Sequence, residues 1–226
     1  MRIFHFSDSH GYHDLLDIPS DVDAVICSGD CSNVRSPYEN EHEVRGFVEW
    51  FSKIKVGYKI YVAGNHDTSI EKRLITRDYF ATNGIIYLEN ESIEIDGIKF
   101  YGTPYTPYFQ DWAFMKKRNK MQQVWDSVPN NTNVLIAHCA PKGMLDLRPS
   151  TQKKNQFELV GCESMRDMIY EKRIKYILFG HIHDNDICKN SGIYKCDGKT
   201  YSNGSIVKDR EFGKLSSQGN IIDVRV

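Results

Sequence analysis

The stretch Lys59-Ile60-Tyr61-Val62-Ala63-Gly64-Asn65-His66-Asp67 joins an apolar run to a group of polar side chains. The run from Tyr58 to Val62 is aromatic and β-branched, which predicts a buried β-strand. Gly64 permits a tight turn because it carries no Cβ atom. The polar residues Asn65, His66 and Asp67 are therefore expected at the carboxyl end of the strand, where open α/β sheets bind their ligands.

Four further apolar runs end in the same way, each followed directly by Asp or His. These endings are Ser7-Asp8-Ser9-His10 after Arg2 to Phe6, Ser28-Gly29-Asp30 after Ala24 to Cys27, His138 after Val134 to Ala137, and Gly180-His181-Ile182-His183 after Tyr176 to Phe179. Five of the eight histidines thus follow a predicted strand. A polar loop explains any one ending, but the repeated placement predicts that the five endings form one functional site.

Composition limits the class of protein. The 226 residues fit a single α/β domain, which we predict to span residues 1–226. A formal net charge of −1 provides no overall positive field for nucleic acid or an anionic membrane, so nucleic acid is considered only as a substrate. No apolar run approaches the roughly 20 residues of a membrane span. Met1 leads directly into a strand, and the six cysteines show no Cys-x-x-Cys spacing, which predicts a reduced, cytoplasmic protein without a membrane partner.

The first third of the chain has the pattern of a β-α-β unit. Ser36 and Glu39 match a capping box around Pro37, and apolar residues follow at helical spacing. The strands on either side of this helix, within Asp23 to Val62, should therefore be parallel.

Later segments predict a second sheet, because they pair locally in hairpins. The turns Asp96-Gly97 and Asp197-Gly198 each separate two short β-type runs. Ile221 to Val226 is predicted to close this second sheet. Helical patterns from Met121 to Val128 and from Cys162 to Arg173 would cover its outer face. The predicted fold class is α/β, a four-layer α-β-β-α sandwich of two mixed sheets.

The side chains at the strand ends suit divalent metals. Asp8 and His10 are separated by one residue, as are His181 and His183, so in an extended segment each pair would point to one side. The candidate ligands are Asp8, His10, Asp30, Asn65, His138, His181 and His183. Seven donors are too many for one tetrahedral zinc, whereas two metals about 3.5 to 4 Å apart could share a carboxylate. Asp30 is assigned as this bridge.

Such a pair of metals predicts phosphate chemistry. Metal binding lowers the pKa of a bridging water towards about 7, which gives a hydroxide that can attack phosphorus. His66 is predicted as the general acid for the leaving group, with Asp67 orienting its ring. Asn65 and His66 are also predicted to contact the substrate.

The motifs resemble a known family when taken in order. Asp8-x-His10, Gly29-Asp30, Gly64-Asn65-His66-Asp67, His138 and Gly180-His181-x-His183 are similar to the signature of calcineurin-like metallophosphoesterases. This resemblance implies that metal one binds Asp8, His10, Asp30 and His183. It implies that metal two binds Asp30, Asn65, His138 and His181. It also implies that His66 faces the scissile phosphate.

The chain also resembles a smaller branch of this family, the compact MPPED-like proteins, which are similar to class III cyclic nucleotide phosphodiesterases. The segments that carry this resemblance are Ser7-Asp8-Ser9-His10-Gly11, Gly29-Asp30-Cys31, Ile85-Ile86-Tyr87-Leu88, Tyr101-Gly102-Thr103-Pro104-Tyr105-Thr106-Pro107 and Trp112-Ala113-Phe114. The branch implies phosphodiesterase activity, typically with Mn²⁺, with cyclic nucleotides among the substrates. Fe, Zn, Ni or Mg are alternative metals. Cys139-Ala140-Pro141 makes the segment after His138 one residue longer than the family's His-x-Pro.

Several interpretations stay open at this point. A phosphomonoesterase or a nuclease could use the same site, and a metal-stabilised protein-binding scaffold is a further alternative. The aromatic loop from Tyr101 to Trp112 could cover a cleft or pack on its own rings. The basic run Lys116 to Lys120, and Arg148, Lys153 and Lys154, could contact phosphate or lie at the surface. Oxidation of Cys31 or Cys139 could distort the site, because each is adjacent to a predicted ligand.

Overall fold

The computed structural model describes residues 1–150, 156–209 and 211–225. In this part of the chain the strands alternate with five α-helices and two short 3₁₀ turns, at His13–Leu15 and Arg118–Lys120. The strands are β1 Arg2–Phe6, β2 Ala24–Cys27, β3 Tyr58–Tyr61, β4 Ile86–Tyr87, β5 Glu91–Ile95, β6 Ile98–Thr103, β7 Thr106–Pro107, β8 Met115–Lys116, β9 Val134–Ala137, β10 Leu147–Pro149, β11 Phe157–Leu159, β12 Tyr176–Phe179, β13 Gly192–Cys196, β14 Lys199–Asn203, β15 Val207–Lys208, β16 Glu211–Leu215 and β17 Asn220–Asp223. The helices are α1 Pro37–Ser52, α2 Thr68–Glu71, α3 Arg77–Thr82, α4 Gln122–Asp126 and α5 Glu163–Glu171.

The first sheet has the strand order β17-β1-β2-β3-β4, and the four strands β1 to β4 are parallel. The β-α-β unit predicted for residues 23–62 is confirmed, because β2 and β3 pair in parallel on either side of α1. The predicted capping box does not form, since the Ser36 side chain makes no capping hydrogen bond. The helix begins at Pro37 with its φ already suited to the first helical position.

The second sheet has the order β13-β14-β12-β9-β6-β5, with parallel strands inside and an antiparallel hairpin at each edge. Asp96 and Gly97 turn one hairpin with φ values of 52° and 75°, and Asp197 and Gly198 turn the other with 49° and 69°. Both turns match the two-residue hairpin geometry that the sequence predicted.

The prediction that Ile221 to Val226 closes the second sheet is wrong. β17 pairs antiparallel with β1 and so forms the edge of the first sheet. Ile222 is buried in the layer between the two sheets, and a strand of either sheet could present it there. The apolar pattern therefore does not reveal which sheet accepts the strand. The run Ile85 to Leu88 has a β-type pattern that favours the second sheet together with the hairpin after it, but it contributes β4 to the first sheet.

Three apolar clusters separate four layers. One lies between the first sheet and helices α1 to α3, with Phe6, Phe47 and Tyr61 fully buried. The second lies between the two sheets, where Ile26, Ile60 and Leu178 meet. The third lies between the second sheet and helices α4 and α5. Because adjacent residues of one strand face different clusters, both sheets are covered on both faces. The predicted α-β-β-α sandwich is confirmed. Within the described residues, no helix is long and apolar enough to cross a membrane.

Candidate metal centre

All seven predicted ligands come together at the carboxyl edge of the two sheets. The first sheet supplies Asp8 and His10 after β1, Asp30 after β2 and Asn65 after β3, and the second supplies His138 after β9 and His181 and His183 after β12. One group, Asp8, His10 and His183, has ligand atoms within 4.8 Å of one another, and so has a second, Asp30, His138 and His181. Asn65 joins the second group because its Oδ1 lies 2.9 Å from His138 Nε2.

The two histidines of the last motif separate between the groups, although the spacing predicted that they would converge on one point. The reason is local: His181 has a φ of 71°, so the segment is not extended there. Asp8, His10 and Asp30 also have positive φ, of 54°, 44° and 54°. This left-handed region is rare for residues with a Cβ and carries a strain of about 1 to 3 kcal/mol each. Such strain is concentrated at functional sites.

Asp8 is the centre of the first group and is fully buried. The backbone N–H of His181 donates to both of its carboxylate oxygens, at 3.0 and 2.9 Å, and Ser205 Oγ donates to Oδ2 at 2.7 Å. His183 Nε2 lies 3.1 Å from Oδ1. Two donors, the His181 N–H and the Ser205 hydroxyl, thus hold the carboxylate in one orientation, with Oδ1 facing the His183 ring.

Asp30 occupies the same position in the second group. Its Oδ1 accepts a hydrogen bond from the His66 N–H at 2.7 Å, and its Oδ2 lies 3.2 Å from His138 Nε2. Gly29 and Gly64 allow the close approach of these segments, since an added Cβ on Gly29 would come within 2.7 Å of both the Gly64 nitrogen and His138 Nδ1.

The ring orientations of His10 and His138 fit metal binding. His10 Nδ1 lies 3.0 Å from the Ser32 carbonyl oxygen, and His138 Nδ1 lies 2.9 Å from that of Ser28. A carbonyl can only accept, so each Nδ1 carries a proton, and Nε2 is the ring atom left to face the neighbouring candidate ligands. His10 Nε2 also faces His183 Nε2 at 3.3 Å, an arrangement of two nitrogens that a shared cation stabilises. The donor set of imidazole and carboxylate suits borderline divalent metals.

Burial and charge shift the pKa values in two directions. Burial lowers the pKa of His10 to about 4 and of His181 to about 3, with a smaller contribution from the neighbouring histidines, so both rings are neutral. Burial would also lower the pKa of His138, but the Asp30 carboxylate outweighs it and raises the pKa to about 9. Two buried carboxylates, Asp8 and Asp30, thus create a strongly negative potential that favours positive charge in the cleft.

His66 lies beside both groups, but Asp67 does not orient its ring as predicted. His66 Nδ1 lies 3.2 Å from the Asn33 carbonyl oxygen, and its ring packs against Trp112 at 4.0 Å between centroids. The Asp67 carboxylate points in the opposite direction and accepts hydrogen bonds from the Gly64 N–H at 2.6 Å and the Asp30 N–H at 3.0 Å. Asp67 is the N-cap residue of helix α2 and lies just before it, and the turn at its position directs consecutive side chains apart.

A cleft of about 820 Å³ opens at the metal centre. The aromatic loop borders it: Phe109 packs against His181 with 5.3 Å between centroids, and Trp112 packs against His66. Arg148 lines the cleft and pairs with Glu158 at 3.7 Å, while Lys153 and Lys154 lie outside the described residues.

The two cysteines next to predicted ligands have different surroundings. Cys31 is buried, and its thiol lies 3.4 Å from Asp67 Oδ1. Cys139 is a hydrogen-bond neighbour of Cys162 at the start of α5, and the hydrogen bond from Cys139 is the main reason why the pKa of Cys162 is lowered to about 6. All six cysteines are unpaired.

Several supporting residues were missed by sequence reasoning. The carbonyls of Ser28, Ser32 and Asn33 flank Gly29-Asp30 in the sequence, so their nearness to the ligands was a usable signal. Ser205 and Asp209 had no such signal, because they lie on either side of β15, far from the motifs in the sequence. Asp209 Oδ1 lies 3.6 Å from His183 Nδ1.

Comparison with known proteins agrees with this geometry. A family model described as calcineurin-like phosphoesterase matches residues 1–185. Metallophosphoesterase domain-containing protein 1 of Homo sapiens is 28% identical over 230 residues, which cover 91% of this chain and 66% of that protein. The UPF0046 protein K07C11.7 of Caenorhabditis elegans is 30% identical over 200 residues, covering 81% of this chain and 64% of the relative. The chain thus spans about two thirds of the length of these curated relatives.

Solved structures show the same fold at low sequence identity. Phosphopantetheinyl hydrolase from Mycobacterium tuberculosis superimposes with a TM-score of 0.61 and 15% identity, covering 97% of this chain and 95% of the other. Another solved chain has a TM-score of 0.65 and 14% identity, with 89% of each chain covered.

Proposed function

Because this chain belongs to the calcineurin-like phosphoesterase family, we propose that it is a dinuclear-metal phosphodiesterase for small or exposed phosphodiesters, cyclic nucleotides among them. Membership of the family and the grouped His and Asp side chains make the chain a metal-dependent phosphoesterase. One observation carries the proposal: Asp30 of the second group also has a carboxylate oxygen within 4.8 Å of ligand atoms of His10, from the first group, and His66. This shared position borders a cleft of about 820 Å³.

The ligand assignments follow the two groups. Metal one is proposed to bind Asp8, His10, His183 and the shared Asp30. Metal two is proposed to bind Asp30 and the set Asn65, His138 and His181. Mn²⁺ is proposed because the resemblance to the MPPED-like branch implies it, with Fe, Zn, Ni or Mg as alternatives to be tested. The mixture of imidazole nitrogens and oxygens suits borderline divalent metals in general. When bound, two such ions supply Lewis-acid activation of the phosphoryl group and of the attacking water.

His66 is proposed to protonate the leaving oxygen. The Asn33 carbonyl fixes Nδ1 as a donor, so Nε2 is the atom that is free to face the cleft. Trp112 and His10 pack on the ring from two sides, with centroids at 4.0 and 4.7 Å, which restricts its rotation. Asn65 contributes an amide beside the same position and is proposed to contact the phosphate.

Asp67 is proposed to act by positioning. It fixes the backbone of Asp30 and Gly64 through two N–H···O hydrogen bonds, and so sets the place of the shared carboxylate.

The test is hydrolysis of bis(p-nitrophenyl) phosphate by the purified protein with Mn²⁺. Removal of a general acid lowers kcat by about 100-fold or more where the leaving alkoxide needs a proton, so His66→Ala should lose that much activity on a cyclic nucleotide and less on bis(p-nitrophenyl) phosphate, whose p-nitrophenolate leaves without one. His42→Ala is the matched control, because His42 is exposed on α1 and does not line the cleft. Equal kcat values for His66→Ala and the wild type on a cyclic nucleotide would contradict the role of His66.

Substrate class is tested by comparing the diester with p-nitrophenyl phosphate, cyclic nucleotides and single-stranded DNA. A phosphodiesterase should have its highest kcat/KM on one of the small diesters. Preference for the monoester or for DNA would favour the phosphomonoesterase or nuclease alternative, and metal binding without hydrolysis of any substrate would favour the scaffold.

A cytoplasmic location is also proposed. The six cysteines form no disulfide, which supports this location.

A further inference from the structure

The cleft continues beyond the metal centre to Arg118 and Thr106, which no part of the proposed mechanism uses. Both residues border the same cavity as Asn65 and His181. A ligand with its phosphate between the metal-binding groups would extend its organic part along this cavity. The chemistry of these two side chains therefore bears on which substrates fit.

Arg118 is held by neutral groups. Its Nη2 donates to the Val160 carbonyl at 2.7 Å and its Nη1 donates to the Gly161 carbonyl at 3.1 Å. These carbonyls are fixed in turn, because the Gly161 N–H donates to Asp146 Oδ2 at 2.8 Å and the Val160 N–H donates to the Asp146 carbonyl at 3.1 Å. A guanidinium carries five N–H donors. Two bonds to carbonyls position it without neutralising its charge.

Other charged side chains of the cleft have ion-pair partners. Arg148 faces Glu158, Asp209 faces His183, and Asp186 pairs with Lys208 at 2.8 Å. In residues 1–150, 156–209 and 211–225, Arg118 has no carboxylate within 4.0 Å.

Carboxylates on the far side of Arg118 have partners of their own. Glu163 and Asp167 border a smaller cavity of about 260 Å³, which Arg118 also lines. Glu163 pairs with Lys142, and Asp167 pairs with Arg166 at 2.8 Å. Glu163 interacts with the Arg118 charge at longer range, but neither carboxylate forms an ion pair with the guanidinium, so its remaining donors can bind a ligand in the main cleft.

Thr106 adds a second donor. Its side chain is fully buried, it lines the cleft, and its Oγ1 has no hydrogen-bond partner among the described residues. The neighbouring Cys139 thiol is a weak partner at best and does not satisfy the hydroxyl. A buried hydroxyl without a partner is unusual and indicates a group that comes from outside the protein.

We propose that Arg118 and Thr106 form a second anion subsite in the cleft, so that the preferred substrate carries a further phosphate or carboxylate on its organic part. This inference rests on the proposed phosphodiesterase function and narrows its substrate class. The guanidinium supplies the charge and a fork of donors, and the hydroxyl supplies one directed hydrogen bond.

Two matched diesters test the subsite. Phenyl p-nitrophenyl phosphate and its 4-(phosphonomethyl)phenyl analogue release the same leaving group and differ only in the second anion. A hydrogen bond to a charged group corresponds to a factor of about 10 to 100. The wild type should therefore favour the analogue by about that factor in kcat/KM. Arg118→Met should reduce this ratio towards one, and Thr106→Val should reduce it by about 3- to 10-fold.

The ratio between the two substrates is the readout, so a general loss of activity in a variant cancels. Lys117→Met is the matched control, since it removes the same charge one position earlier and Lys117 does not line the cleft. Its ratio should equal that of the wild type. Arg118→Lys should retain part of the preference, because the charge remains and the fork of donors is lost.

A binding experiment separates this inference from the proposed function. The affinity of the Mn²⁺-loaded protein for phenylphosphonate and for its 4-(phosphonomethyl) derivative is measured by calorimetry, which needs no turnover. A preference for the derivative that disappears in Arg118→Met supports the subsite even if neither diester is hydrolysed, in which case the proposed phosphodiesterase function fails alone. Hydrolysis of both diesters with equal kcat/KM, or equal affinity for both phosphonates, would overturn the subsite and leave the phosphodiesterase function intact.

Discussion

Replacement of Asp67 is the sharpest test of how the site is built. Its carboxylate is fully buried and accepts from five donors. The donors to Oδ2 are the Gly64 N–H, the Tyr61 hydroxyl and the Asp30 N–H, at 2.6, 2.6 and 3.0 Å, and those to Oδ1 are the Ser32 hydroxyl and the Cys31 thiol, at 2.8 and 3.4 Å. Asp67→Ala removes the acceptor of two backbone N–H groups that cannot turn elsewhere.

The magnitude follows from the groups left without a partner. Each buried donor that loses its partner destabilises the fold by about 1 to 3 kcal/mol. With the two N–H groups and the Tyr61 hydroxyl left without a partner, the free energy of unfolding of Asp67→Ala should fall by about 3 to 6 kcal/mol. This range assumes that water enters the space and satisfies part of the lost bonding. Asp67→Asn keeps one acceptor oxygen. Burial and the repulsion from Asp30 already raise the pKa of Asp67, so loss of its charge is less harmful, and we expect about 1 to 3 kcal/mol.

Urea denaturation of the metal-free protein measures these changes, with Asp78→Asn on the exposed side of the molecule as control. Tyr61→Phe should destabilise by about 1 kcal/mol, and its effect should be smaller in the Asp67→Ala background, because the two side chains share one hydrogen bond. This reasoning would be refuted if both Asp67 variants unfolded with free energies within about 0.5 kcal/mol of the wild type, roughly the scale of surface substitutions, while their kcat fell as in His66→Ala. That result would restore the role of Asp67 in orienting the His66 ring.

Further predictions concern backbone space, pH and metal. Gly29→Ala should lower the free energy of unfolding by several kcal/mol, roughly the scale of a severe steric change, because φ is +108° and the new Cβ would meet the Gly64 backbone. Gly97→Ala has φ +75° and nothing within 4 Å of the new Cβ, so it should lose only about 1 kcal/mol in the same denaturation assay. Burial lowers the pKa of His5 from 6.5 to about 3; the unfolded chain therefore binds a proton that the native state excludes, and stability should fall as the pH drops from 6.5 towards 3, by up to about 1.4 kcal/mol per pH unit. His5→Gln, measured in urea at several pH values in this range, should reduce that slope. Mn²⁺ at about 100 times its Kd should stabilise the wild type by about 2.7 kcal/mol, seen as a higher Tm, and His138→Ala should lose most of this shift; an equal shift in the variant would contradict its assignment as a ligand.

The sequence revealed the strand ends and their polar residues because both signals are local. An apolar run that stops at Asp30 or His138 gives the position of the residue on its strand, and parallel pairing brings such ends together. The order of strands within the sheets was less accessible. β17 presents apolar residues that either sheet could bury, so the pattern left its partner undetermined.

Roles that depend on side-chain direction were also beyond the sequence. Asp67 follows His66 directly, yet the turn before α2 sends its carboxylate back to Gly64. The left-handed backbone at His181 separates it from His183 for the same kind of reason. Neighbours in the chain need not be neighbours in the site, and Ser205 reaches Asp8 only because β1 and a distant loop form a bridge at Ser7.

The origin of the ligands in two different sheets has a dynamic consequence. The first sheet supplies Asp8 and Asp30, and the second sheet supplies His181 and His183. The His181 N–H donates from one sheet to the other, to the Asp8 carboxylate. A cation bound by side chains from both sheets would couple their local unfolding, so that neither sheet could open without the other. Amide hydrogen exchange should then slow in β2 and in β12 to the same extent when metal is added, and the sandwich would behave as one cooperative unit.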